Sequence, residues 1–213
     1  MTGVSSPQAK PNAWSGFSRT RWFVTVQGVL IGLAGMVHGG YEISRGDVST
    51  GGNLLAAIGA FTLIPNYLLT GITAVLVGLV LILWTIRFID RKSGSLIFVL
   101  LCILLFLVGG GFAQVAFFPL SWAAATQLQR PGSWWKKILP ARACERFAGL
   151  WISFIAGGYL FFGVGFAIWL FILPPGSIYQ GRPIEFILWG CLAVGWVLQL
   201  AAALAGFVQE SER

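Results

Sequence analysis

The chain has 213 residues, of which 57% are hydrophobic and only 10% charged, and its net charge is +7. A soluble domain carries about 25% charged residues, so this composition excludes an ordinary soluble fold and points to a polytopic membrane protein. The basic excess lies mostly in short connectors between apolar runs, where topology accounts for it, and no separate basic domain exists to hold nucleic acid.

Residues 1–21 are polar and include Lys10, Arg19 and Arg21, which reads as a flexible cytoplasmic tail. The apolar run Trp22–Tyr41 follows. It is too long for a typical signal-peptide core and is expected to be an uncleaved first span. Within it Gly28, Gly32, Gly35 and Gly39 fall within about 60° of one another on a helix. Such a groove admits a second helix closely, either within the chain or across a dimer.

At the outer end of this span His38 and Glu42 stand four residues apart and share a helix face. With Gln114 they form the candidate polar site. Its place near the interface implies access to water and a contribution from Arg45. Ionisable groups in a membrane act as proton relays or ligand contacts. His38 is the only histidine, so a multi-histidine metal site is excluded, and no metal or cofactor is assigned.

Ser44–Leu63 reads as the larger outer loop, rich in Gly, Ser and Thr. Its Arg45-Gly46-Asp47 tripeptide recurs too often by chance to carry meaning. The second span is Ile64–Ile86, opened by Pro65, whose missing N–H costs little there.

From Ser93 to Gln129 there is no Asp, Glu, Lys, His or Arg. The apolar body, Leu96–Thr126, would be roughly 46 Å long as one helix. Crossing a ~30 Å core with it demands a tilt near ~50°, outside the usual range of about 0–40°. Gly109, Gly110 and Gly111 weaken its middle, and Pro119 is expected to add a second break or kink.

The positions of Lys and Arg decide between a single crossing and a return. With a single crossing, seven basic residues fall on each side. If the stretch folds back, one side collects three from the tail, three from Arg87–Lys92, five from Arg130–Arg146 and Arg213, which is twelve. The other side keeps Arg45 and Arg182. The positive-inside rule selects the second arrangement, with both termini cytoplasmic. The hairpin is either re-entrant or two short spans meeting at a Gly109–Gly111 turn, and two short, closely packed helices are favoured.

The cytoplasmic segment Pro131–Gly149 contains Trp134, Trp135, Lys136 and Lys137, a mixture suited to an anionic lipid surface. The third span is Leu150–Leu173, stopped by Pro174–Pro175, and the fourth is Phe186–Phe207. Residues 22–208 therefore make an all-α, polytopic transmembrane helix bundle of four spans plus a central glycine-broken hairpin, six membrane segments in all. Residues 209–213 form a cytoplasmic tail. Trp22, Trp84, Trp122 and Trp151 fall at inner ends, and Trp169 and Trp189 towards outer ends, as interfacial rings do. Gln27, Gln114 and Gln199 are amides within apolar segments that need interhelical partners or a polar pathway.

The three cysteines are too few and too scattered for a disulfide framework or a metal knot. No GxSxG, HExxH, Walker A, EF-hand or GxGxxG motif appears, so no enzymatic activity is assigned. The strings His38-Gly-Gly-Tyr-Glu-Ile-Ser-Arg-Gly, Phe61-Thr-Leu-Ile-Pro-Asn and Leu107-Val-Gly-Gly-Gly-Phe, with Trp134-Trp135, resemble a group of uncharacterised bacterial multi-pass membrane proteins. In similar sequences a proline-containing turn often follows the glycine triplet, where this chain has Ala113-Gln114-Val115. The resemblance implies a bacterial cytoplasmic membrane and no activity.

Two functions compete on the sequence. One is a non-catalytic membrane subunit or packing partner, in a homo-oligomer or with another membrane protein. The alternative is a small transporter or channel with a site near the outer end of the first span.

Overall fold

A computed structural model describes residues 18–55, 60–111, 113–129, 140–172 and 182–210. Ser18 stands in extended backbone, and its Oγ accepts a hydrogen bond from the Arg21 amide at 3.1 Å. This cap starts α1, Arg19–Ser44. A short antiparallel hairpin follows, β1 (Leu54–Leu55) paired with β2 (Ala60–Phe61). Asn66 caps α2, Tyr67–Phe88, by accepting from the Leu69 amide at 3.0 Å. Pro65 therefore sits just ahead of the cap.

The uncharged stretch forms two helices, α3 (Gly94–Leu107) and α4 (Ala113–Gln129). Their break falls on the glycine triplet, where Gly109 and Gly111 have φ of +98° and +93°. Only glycine adopts such backbone without strain. Of the break or kink expected at Pro119, the break does not occur: α4 continues through it. A short helix α5 (Ala141–Gly149) then leads into α6 (Trp151–Ala167). A π-helical turn, Ile168–Ile172, extends α6, and α7 runs over Pro183–Glu210.

Among the described residues, three helices are long and apolar enough to cross a membrane: α1, α2 and Pro183–Val208 of α7. α3 and α6 are shorter apolar helices. Many of their large side chains are exposed, among them Leu76, Leu83, Leu100, Leu160 and Val197. In water that surface would be costly; in lipid it is matched.

The glycine face of α1 is used within the chain. A Cβ on Gly39 would lie 2.6 Å from the Gly71 carbonyl, and one on Gly32 2.7 Å from that of Gly78. Gly28 faces Thr85, and Gly35 faces Leu105 on α3. α1 and α2 thus pack backbone to backbone, gaining dispersion contacts that larger residues would prevent. Gly39→Val is expected to cost about 1–3 kcal/mol by overpacking, read as a lower melting temperature in detergent.

The core is continuous across the hairpin. Phe23 and Val24 of α1, Leu81 of α2, Phe98 and Leu105 of α3, and Ala124 of α4 belong to one buried cluster. The helix ends place the connectors. Arg21 pairs with Asp90 at 2.8 Å, and Arg19 donates to the Ala148 carbonyl at 2.5 Å. A Cβ on Gly206 of α7 would lie 3.0 Å from Thr20 Oγ1. The start of α1, the α2–α3 connector, the α5–α6 junction and the last turns of α7 therefore meet at one end. A central stretch crossing only once would separate them.

Candidate functional site

At the opposite end, the glycine turn closes over the last turns of α1. The closure begins with backbone pairing. Leu63 N donates to the Leu107 carbonyl and Gly109 N to the Phe61 carbonyl, both at 2.9 Å, with Thr62 bridged to Val108. The strand after the outer hairpin thus supplies partners that lipid cannot give to an irregular turn. Gly110 N turns inward to the Leu105 carbonyl at 2.8 Å.

Each glycine meets a different candidate residue. A Cβ on Gly109 would collide with the Glu42 carboxylate, lying 2.6 Å from Oε2. One on Gly110 would lie 3.0 Å from Gln114 Nε2, and one on Gly111 2.6 Å from His38 Nε2. The fold therefore brings His38, Glu42 and Gln114 around a single turn, and the triplet is needed for proximity as much as for conformation.

Glu42 is shut off from solvent by the chain itself. It is 0% exposed, and neither carboxylate oxygen has a hydrogen-bond partner among the described residues. Arg45 does not join it: its guanidinium donates to the Tyr41 hydroxyl at 2.6 Å and lies over that ring. Thr62 and Thr70, both fully buried, complete the wall. Their hydroxyls bond each other at 3.0 Å, and Thr70 Oγ1 also donates to the Ile64 carbonyl at 3.0 Å. Sequence reasoning missed this threonine pair, because nothing local ties Thr62 to Glu42 until the strand docks on the turn.

Gln114 is 3% exposed, and both its amide atoms also lack partners among the described residues. It borders a cavity of about 200 Å³ between α1, α4 and α6. Gln27, Ile31 and Ala34 form one wall, while Phe117, Tyr159 and Phe162 form the others. Phe117 and Phe162 meet edge to face with centroids 4.7 Å apart. Gln27 donates to Gln199 Oε1 at 2.9 Å, so two of the three amides pair and Gln114 stands apart from them.

Trp134, Trp135, Lys136 and Lys137 lie outside the described residues. α5, just after them, exposes Arg142 and Arg146 while burying Ala148. No group of three or more His, Cys, Asp or Glu side chains able to hold a metal occurs among the described residues.

No protein-family model, curated protein or solved structure matches the chain. Any functional reading must rest on the site itself.

Proposed function

We propose that the chain is a small membrane carrier that takes a positively charged ion or solute at Glu42. One observation carries the reading: a fully buried carboxyl without a hydrogen-bond partner among the described residues, set against a broken helix. An isolated charge in a low-dielectric site costs several kcal/mol, so such a group is stable only when something positive, a proton or a cation, shares the site. Broken helices lining a cavity are a recurrent way to build ion and solute sites in membranes.

In this reading both arms of the α3–α4 hairpin cross, giving six membrane segments. The end bearing Arg19, Asp90 and Ala148 faces the cytoplasm of a bacterial cell, because most of the described basic residues gather there. Arg142 and Arg146 then meet anionic headgroups. The membrane-subunit reading drew on the glycine face of α1, the short loops and the absence of catalytic motifs, and of these the glycine face is occupied by α2 and α3.

The test is cation flux in proteoliposomes. Sodium, potassium, guanidinium, tetramethylammonium and 4-phenylbutylammonium are applied as gradients, and an entrapped pH dye reports proton-coupled exchange. At least one cation is expected to give a signal that Glu42→Gln lowers tenfold or more. No signal with any of the five, or a signal that Glu42→Gln retains, overturns the reading.

A further inference from the structure

We infer that the substrate class is an amphiphilic amine, its ammonium beside Glu42 and its apolar body in the cavity between α1, α4 and α6. This rests on the reading of Glu42 as the cation site and adds what surrounds it. Gln27, Ile31, Ala34, His38 and Glu42 lie within about 80° of one another on α1, at 100° per residue. The cavity wall and the carboxylate thus share one helix face. Ala34 and Glu42 are about 12 Å apart along the axis, the reach of a short alkyl chain bearing a ring.

The cavity has the size and lining for that body. A cavity of about 150 Å³ lined by apolar side chains accepts benzene, and this one has about 200 Å³. Phe117, Tyr159 and Phe162 present aromatic surface, and Leu30, 41% exposed, stands at its mouth. With an exposed leucine of a membrane helix at that mouth, entry from the lipid favours a molecule that partitions there. Gln114 lines the cavity and also lies against Gly110 of the turn that covers Glu42. Its unpartnered amide, almost fully buried, is a polar contact left open where the apolar chamber meets the turn. A wholly inorganic cation would leave both chamber and amide unused, and a neutral amphiphile would leave the carboxylate uncompensated.

The probe is 4-phenylbutylamine, titrated calorimetrically into the full chain in lipid nanodiscs, with empty nanodiscs subtracted. 4-Phenylbutanol and 4-phenylbutyrate keep the ring and chain but change the head. The amine is expected to bind one to one, at least tenfold more tightly than the alcohol, with no binding of the butyrate. Glu42→Gln reduces the amine to the affinity of the alcohol. Ala34→Phe, which fills the chamber, weakens amine and alcohol alike, and Leu30→Trp at the exposed mouth does the same without touching the core. Equal affinity for the three probes, or amine binding unchanged by both Ala34→Phe and Leu30→Trp, overturns the inference. If the amine fails to bind while Glu42-dependent flux of a simple cation persists, the carrier reading stands and the amphiphile is wrong. If both fail, the site itself is misread.

Discussion

Gly109→Ala lowers the stability of the protein by about 3 kcal/mol. Gly109 has φ of +98°, and holding a residue with a side chain in such backbone costs of order 1–3 kcal/mol. The new methyl also needs room that does not exist: it would press on the Glu42 carboxylate and lie 2.6 Å from Thr70 Cγ2. Neither neighbour can retreat. α1 and α2 are held together by the Gly39–Gly71 contact, and Thr70 is tied to Thr62 and to the Ile64 carbonyl. For a chain of about this size each kcal/mol moves the melting temperature by about 2–4 °C, so a fall of roughly 10 °C is expected. Gly40→Ala is the control, since nothing lies within 4 Å of a Cβ there. It should melt with the parent or slightly above, given the higher helix propensity of alanine. Equal melting of Gly109→Ala and the parent would show that the turn is not built as described.

Glu42→Leu acts in the opposite direction and raises stability. A buried acceptor without a partner costs about 1–3 kcal/mol, and more when charged. Leucine of similar volume removes that demand and keeps the packing against Thr70 and the turn. The melting temperature in ligand-free detergent should rise by about 5 °C, while the flux assigned to the site disappears. A group retained at the expense of stability belongs to function. If Glu42→Leu melts lower than the parent, the carboxyl has a structural partner and the site loses its rationale.

How far the sequence revealed this arrangement depends on the kind of interaction. Apolar length found α1, α2 and α7, because spanning a ~30 Å core sets a residue count that composition displays directly. The distribution of Lys and Arg indicated the return of the central stretch, and Gly109–Gly111 marked where it turns. The glycine face of α1 is visible in the sequence, whereas its pairing with Gly71 and Gly78 of α2 is a tertiary contact that the sequence of α1 does not display. Pro119 does not end α4, since a proline interrupts one hydrogen bond without ending a helix that its neighbours hold.

The site was legible only in part. The spacing of His38 and Glu42 puts them on one helix face and Gln114 is an amide within an apolar run, but nothing in the sequence marks the burial of Glu42. Its burial comes from Phe61–Leu63 pairing with Leu107–Gly109. Backbone pairing between segments remote in sequence leaves no periodicity to read, and the run around Thr62 looked like an ordinary loop. The cavity depends likewise on α6 meeting α1 and α4 through Phe162 and Phe117, a tertiary contact with no local signature.

The return of the central stretch positions everything else, and labelling tests it directly. In a background lacking Cys102, Cys144 and Cys191, single cysteines are introduced by Ser93→Cys, Gly149→Cys and Gly52→Cys, and intact cells are treated with a membrane-impermeant maleimide. The account predicts that the cysteines at 93 and 149 react together only after the membrane is opened, while the one at 52 reacts in intact cells. Labelling of 93 and 149 from opposite faces would contradict it.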